Sequence, residues 1–261
     1  MPLKNHAKLH SINQWSSFHA AWTTSITFAL NLGRLPVRFE AKPSLHVGTN
    51  AEIDVATVEE RGSLFAGVNG FHPGGDDGGG VAVAAEPKVY TAPAPTLTAD
   101  NVTFTDTDLF EVQVFSDDGW KLVAAIELVS PANKDRDDTV RTFTVKAASY
   151  LQAGVSLVVV DVVAGRSAEL HDELCDLLEL PAAARWRSST GFSVVSYRTR
   201  QDPKRSTPTT RYGKVALDVW PHAVGYGDEL PTVPLWLTPS LAVPLELEPT
   251  YTSTCAGLRI H

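Results

Sequence analysis

The sequence predicts an α/β fold: a mixed central sheet flanked by helices, with additional strands in the C-terminal part of the chain. The main observation is a strand–helix–strand unit over residues 123–161. Its helical segment carries four residues at i, i+3, i+4 and i+7, the spacing of one helix face: Phe143, Lys146, Ala147 and Tyr150. Residues 155–163 then form an uninterrupted apolar run, which is typical of a parallel strand buried on both faces.

The first predicted element is an amphipathic helix over residues 13–32, which Gly33 ends. Its apolar face repeats at helical spacing: Trp15, Phe18, Trp22, Ile26 and Leu30. His19 lies on the same face, where we expect a structural histidine bonded to a backbone carbonyl rather than a metal ligand.

Two strands are predicted next, over residues 37–47 and 52–58, with a turn between them. Glu40 lies in the first strand and Asp54 in the second. Because side chains alternate along a strand, Asp54 shares a face with Glu52. Each of the two strands therefore carries at least one carboxylate.

Residues 62–98 differ in character, because glycine and proline interrupt almost every turn. We expect a flexible insertion that folding does not require, since this composition buries little apolar surface. Its GGDDGGG run lacks the lysine and the helix of a phosphate-binding P-loop.

Residues 110–115 and 120–129 are predicted to pair as a hairpin, because Asp118 and Gly119 form a turn signal between them. After the central unit, the remaining predicted elements are a helix over 168–180, strands over 191–200 and 214–220, a short helix near Leu247 and a terminal strand over 258–260.

Glu127 and Asp161 are the carboxylates that interrupt the apolar strands of the central unit. A buried carboxylate is costly unless it is paired or bound to a cation. Lys146, on the apolar face of the connecting helix, is one candidate partner, and a metal ion is another. We expect Asp161, at the end of a buried strand, to be structural.

Composition places the chain among ordinary globular proteins, with 261 residues, 43% hydrophobic content and a formal net charge of −8. The acidic balance disfavours a protein that coats nucleic acid through bulk charge, although a local basic groove is compatible with it. Cys175 and Cys255 fit no metal spacing, so we expect buried free thiols in a reducing cytosol. With no apolar leader and no run long enough to span a bilayer, we expect a cytoplasmic protein that does not enter a membrane.

Several motifs resemble a bacterial family known as domain of unknown function 4058. The matching segments are Trp15 with Phe18-His19, residues 53–56 (IDVA), residues 126–134 (IELVSPANK), Lys146 with Gly154-Val155 and Asp161, and residues 230–234 (LPTVP). The resemblance covers nearly the whole chain. That family is in turn similar to the Uma group of proposed restriction endonucleases, within the PD-(D/E)XK nuclease-like superfamily.

The resemblance implies one nuclease-like domain over residues 1–261, with a restriction-endonuclease-like core at about 13–163, the insertion at 62–98 and a C-terminal extension at 164–261. It also implies a Mg²⁺ or Mn²⁺ site, in which Asp54 and Glu127 are the metal ligands and DNA is the substrate. The metal would activate water, and a lysine would stabilise the developing charge.

The lysine of this site is where the chain departs from the simple motif, because Val129 stands two residues after Glu127. In Uma-type sequences the lysine has moved to the following helix, which implies Lys146. Lys134, in the turn after the strand, is the competing candidate, and we expect it to be mobile and mostly solvated. Glu40 is a weaker candidate for an accessory acid.

Two functions remain open from the sequence. The first is a Mg²⁺- or Mn²⁺-dependent DNA phosphodiesterase with Asp54, Glu127 and Lys146 as catalytic residues. The second is a catalytically inactive nuclease-like fold that serves as a binding or scaffold module, in which Glu127 and Lys146 form an ion pair that fixes the sheet register. Serine hydrolases, nucleotide oxidoreductases and zinc proteins are poor alternatives, because their motifs are missing from the sequence.

Overall fold

The computed structural model describes residue 3 and residues 12–47, 51–59, 90–102, 121–164, 168–201 and 215–260. Over residues 12–14, 16, 44–47, 51–59, 101–102 and 201 it describes the backbone alone. Most of the predicted insertion (62–98) and the whole predicted strand 110–115 lie outside these residues.

The helices are α1 (Ile12–Asn31), α2 (Asp137–Gln152), α3 (Leu170–Leu177) and α4 (Leu247–Gly257), with short 3₁₀ turns at Pro131–Lys134 and Ala182–Ala184. The strands are β1 (Phe39–Val47), β2 (Ala51–Glu59), β3 (Leu97–Val102), β4 (Lys121–Leu128), β5 (Ser156–Asp161), β6 (Phe192–Gln201), β7 (Val215–Val224), β8 (Thr232–Thr238) and β9 (Leu241–Glu246).

In the described part of the chain, a seven-stranded sheet has the order β1-β2-β4-β5-β6-β7-β3, and β8 and β9 form a separate hairpin. β4 and β5 are parallel, whereas the other neighbouring pairs of the large sheet are antiparallel. The predicted fold class is confirmed, since helices and strands combine in a mixed sheet with further strands after residue 190.

The predicted strand–helix–strand unit is the centre of the sheet, and each residue of β5 is buried. α2 ends where glycine permits it: Gly154 has a φ of 77°, and the amide of Val155 bonds to the carbonyl of Tyr150. The chain then turns directly into β5 beside β4.

Two layers cover the large sheet, one on each face. Ser196 of β6 donates to the carbonyl of Pro234 on β8 at 2.6 Å, while Thr199 donates to the carbonyl of Leu151 at the end of α2 at 3.3 Å. Residues an odd number of positions apart point to opposite faces of a strand. α2 therefore covers one face of β6, and the β8–β9 hairpin covers the other.

α1 has the apolar face that its periodicity predicts, with Trp15, Phe18, Trp22, Ile26 and Leu30 buried. It packs on α4, where the indole of Trp22 donates to Thr250 at 3.0 Å. At its C-terminal end, Asn31 exchanges two hydrogen bonds with the backbone of Ala41, which fixes α1 to β1.

The strand predicted over residues 258–260 is wrong. The amide of Leu258 bonds to the carbonyl of Thr254, and the amide of Ile260 bonds to that of Cys255, so these residues cap α4. Arg259 has a φ of 55°, which a strand does not allow. The predicted helix near Leu247 is confirmed as α4. In the described ranges, no helix is long and apolar enough to cross a bilayer.

Candidate functional site

Glu127 is the next-to-last residue of β4, a strand that lies between β2 and β5 inside the sheet. Its side chain is 4% exposed, and the flanking residues Ile126 and Leu128 are buried. An ionised carboxylate in this position requires a cation or several hydrogen-bond donors.

Lys146 supplies a cation from α2. Its Nζ donates to Oε2 of Glu127 at 2.9 Å, and its side chain is 19% exposed. The helix holds it there because Phe143, Ala147 and Tyr150 on the same stripe are buried. The predicted approach of Lys146 to Glu127 is therefore confirmed, and the pair forms a charge-assisted hydrogen bond between helix and sheet.

The backbone of Asp54 lies beside this pair. β2 runs antiparallel to β4, with Val55 opposite Ile126 and Ala56 opposite Ala125. Continuing the register by one residue sets Asp54 across from Glu127, where opposed Cα atoms are typically about 4.5–5.5 Å apart. The side chain of Asp54 lies outside the described part of the chain, so the convergence of the two carboxylates remains a prediction.

Glu40 does not reach this position. Its Cα partner on β2 is Val58, four residues along the strand from Asp54, which corresponds to roughly 13 Å. Its half-exposed side chain lies 3.9 Å from Nζ of Lys42. The structure thus separates the candidate accessory acid from Glu127 and Lys146.

Lys134 is buried, and the expectation of a mobile, solvated lysine is wrong. Its Nζ donates to Oδ2 of Asp161 at 2.8 Å, and the two side chains are 1% and 5% exposed. The local cause is the 3₁₀ turn, in which Oδ1 of Asn133 accepts from both the amide and the hydroxyl of Ser130 at 2.8 Å. The turn directs Lys134 inward, toward the end of β5.

Asp161 is structural, as its position in the sequence suggested. Oδ1 accepts a hydrogen bond from the amide of Val163 at 3.2 Å, while Oδ2 accepts one from the ammonium of Lys134. Burial raises the pKa of Asp161, although Lys134 and the Val163 amide act in the opposite direction. The carboxylate therefore depends on its lysine partner to remain charged.

A second polar cluster is buried between α3 and β6 and centres on His171. Its Nε2 lies 3.1 Å from the carbonyl of Ala184, and its Nδ1 lies 3.0 Å from the hydroxyl of Tyr197. Because a carbonyl only accepts, Nε2 carries the proton, and Nδ1 accepts from Tyr197. Cys175 packs beside the ring, and burial raises the pKa of its thiol to about 11. Both cysteines are buried thiols outside any disulfide, as predicted.

We expect folding stability to fall as the pH drops below about 6.5, the ordinary pKa of histidine. Burial lowers the pKa of folded His171, although the Ala184 carbonyl and Asp172 oppose this. As the pH falls, His171 is protonated in the unfolded chain before it is protonated in the folded protein. The contribution of neutral His171 to folding stability is therefore complete above the unfolded pKa and is lost as the pH falls below it. The difference in the free energy of unfolding between wild type and His171→Gln, measured in urea, should become smaller toward about pH 5. A gap that is independent of pH would contradict a neutral His171.

No known protein family, curated protein or solved structure matches the chain.

Proposed function

We propose that the chain is a PD-(D/E)XK nuclease-like phosphodiesterase that acts on DNA with Mg²⁺ or Mn²⁺. The observation that carries the proposal is the 2.9 Å contact between Lys146 on α2 and Glu127 on β4, beside the register position of Asp54 on β2. Two strand-borne acids and one lysine are the parts that the resemblance to the Uma group implies.

The order of elements supports the proposal. α1, β1, β2, β4, α2 and β5 give one helix, three antiparallel strands, a second helix and a strand parallel to β4. β3 precedes β4 in the sequence but pairs with β7 at the far edge of the sheet. The strands that carry Asp54 and Glu127 therefore remain neighbours.

The donor chemistry suits a hard cation, because carboxylate oxygens are the ligands that Mg²⁺ and Mn²⁺ prefer. The described residues contain no group of three or more acidic, histidine or cysteine side chains placed to hold a metal. Glu127 and Asp54 are both proposed ligands, and of the two only Glu127 has a described side chain. Such an ion would bind a phosphate oxygen and lower the pKa of the attacking water.

Lys146 would stabilise the charge that develops on the phosphate, since its ammonium already lies at the Glu127 carboxylate. Val129, at the position where the simple motif has lysine, is 1% exposed and packs in the core. The helix thus supplies the cation that the strand does not.

Calorimetric titration with Mn²⁺ tests the metal site. We expect wild type to bind Mn²⁺ and Glu127→Gln to bind about tenfold or more weakly, because the amide lacks the charge that a hard cation requires. Glu40→Gln is the matched control, since Glu40 is a carboxylate on the same sheet but away from Glu127. Equal affinity in wild type and Glu127→Gln would remove Glu127 from the metal site.

A catalytically inactive binding or scaffold module is the second candidate. The observation in its favour is that Lys146 and buried Glu127 already form an ion pair, an arrangement that fixes register in some proteins without any chemistry. Folded wild type that neither binds Mn²⁺ nor cleaves single- or double-stranded DNA would decide for this alternative.

A further inference from the structure

The helix α1 contains no aspartate, glutamate, lysine or arginine in its 20 residues. A surface helix normally carries charged side chains on the face opposite its buried stripe, as α2 does with exposed Asp138 and Arg141. The outer face of α1 instead carries Phe28 and Leu32, whose exposed fractions are 60% and 86%, and Val37 just after the helix is fully exposed. Apolar surface of this kind marks a place where another molecule binds.

The exposed residues of this face include one row at i+4 spacing, Ala20, Thr24, Phe28 and Leu32. Such rows are the ridges along which helices most commonly pack on one another. The row is ordered by size, with two small side chains followed by two large ones. Two antiparallel copies of the row would set Leu32 against Ala20 and Phe28 against Thr24. The face is therefore complementary in shape to itself about a two-fold axis between Thr24 and Phe28.

Polar side chains on the same side of α1 are already bonded within the protein. The hydroxyl of Thr24 donates to the carbonyl of Ala20 at 2.8 Å. The amide group of Asn31 exchanges two hydrogen bonds with the backbone of Ala41. Covering these groups would therefore not leave them without a hydrogen-bond partner, which is the main cost of burying polar surface.

The distribution of charge favours a second copy of the chain as the partner. Each copy has a formal net charge of −8, so two copies repel each other where acidic surfaces meet. The outer face of α1 carries no charge, and the first charged residue after it, Arg34, is paired with Glu246 at 2.5 Å. Two such faces can meet without burying an unpaired charge, whereas an acidic peptide or a nucleic acid would find no cation on α1 to bind.

We propose that the protein forms a symmetric dimer through the outer face of α1, with the two helices antiparallel about an axis between Thr24 and Phe28. From Ala20 to Leu32 the row is about 18 Å long. Stable interfaces bury about 1,200–2,000 Å² in total, and a helix face of this length with the apolar surface at Val37 lies at the low end of that range. The dimer is therefore weak, and its population depends on protein concentration.

Sedimentation equilibrium between about 1 and 100 μM tests the dimer, since weak complexes dissociate in this range. The average mass of wild type should rise from that of a monomer toward that of a dimer. Leu32→Glu and Phe28→Glu should each weaken the dimer about tenfold or more, because each buries an unpaired carboxylate in the interface. Both side chains are exposed in the monomer, so the Tm should change little. Thr142→Glu is the matched control, because it adds the same charge at an exposed position of α2 and should dimerise like wild type.

Cysteine cross-linking tests the antiparallel arrangement. Cys175 and Cys255 are buried, so an introduced cysteine is the accessible one. Oxidation of a mixture of Ala20→Cys and Leu32→Cys should link the two variants, because these positions face each other across the axis. Ala20→Cys alone should not link to itself, since its two copies lie about 18 Å apart, well beyond the reach of a disulfide.

The proposal is overturned if wild type stays monomeric over the whole concentration range, or if Leu32→Glu dimerises as well as Thr142→Glu. Linkage of Ala20→Cys to itself as readily as to Leu32→Cys would overturn the antiparallel arrangement. Wild type that stays monomeric but binds phosphatidylcholine vesicles, while Leu32→Glu does not bind them, would assign this face to a membrane surface and not to a second copy.

Discussion

Replacing Lys134 with methionine is expected to destabilise the fold by about 3–5 kcal/mol, the usual cost of removing one partner from a buried ion pair. The side chains of Lys134 and Asp161 are 1% and 5% exposed, so water cannot replace the lost ammonium. The free energy of unfolding in urea measures the effect. Lys42→Met is the matched control: its pair with Glu40 is about half exposed, so it should cost at most about 1 kcal/mol.

The loss of folding stability in Lys134→Met should depend on pH in a defined direction. Burial already raises the pKa of Asp161, and removing Lys134 raises it further because the lysine acts in the opposite direction. Folded Lys134→Met then holds a proton that the unfolded chain releases above about pH 4. The variant is closest to wild type in acid and loses stability as the pH rises through the raised pKa.

A double variant distinguishes the cost of leaving Asp161 without its cation from the contribution of the ion pair itself. Lys134→Met with Asp161→Asn removes both charges but keeps an oxygen for the amide of Val163. It should recover most of the stability that Lys134→Met loses, since uncharged replacements of a buried pair are often nearly neutral. If Lys134→Met costs less than about 0.5 kcal/mol, the lysine is solvated as the sequence alone indicated.

Replacing Lys146 with methionine is expected to reduce metal-dependent DNA cleavage by about 10²–10³-fold, the usual cost of removing one group that stabilises transition-state charge. The expectation follows from the proposed function and from the 2.9 Å contact of Lys146 with Glu127. Cleavage of single- and double-stranded DNA in Mg²⁺ or Mn²⁺ measures it. Lys121→Met is the control, since Lys121 is an exposed lysine at the opposite end of β4.

Activity must be compared per folded molecule, because Lys146→Met also removes a cation from buried Glu127 and should lower stability. Lys134→Met, compared in the same way, should retain cleavage, since Lys134 is bonded to Asp161 and not to Glu127. Equal loss of cleavage in the two folded variants would contradict the assignment of Lys146 as the lysine of the site.

The sequence by itself determined much of the local structure and burial. Helical spacing from Trp15 to Leu30 predicted the buried face of α1, and the apolar run after Gly154 predicted the buried strand β5. These features follow from hydrophobic periodicity, which the sequence records directly. Lys146 was also correctly placed on the face that meets the sheet, because the helix repeat fixes it relative to Phe143 and Ala147.

The tertiary structure decided which charges meet. Both Glu127 and Asp161 required a cation, and the sequence offered Lys146 or a metal ion, while it placed Lys134 in a solvated turn. The 3₁₀ turn directs Lys134 to Asp161 at the end of β5, and the packing of α2 on β4 brings Lys146 to Glu127. The pairing of β1 with β2 likewise placed Glu40 away from Asp54. Residues 258–260 became the cap of α4 instead of a strand. Such outcomes depend on contacts between distant segments, whose distances are not encoded by periodicity in any one of them.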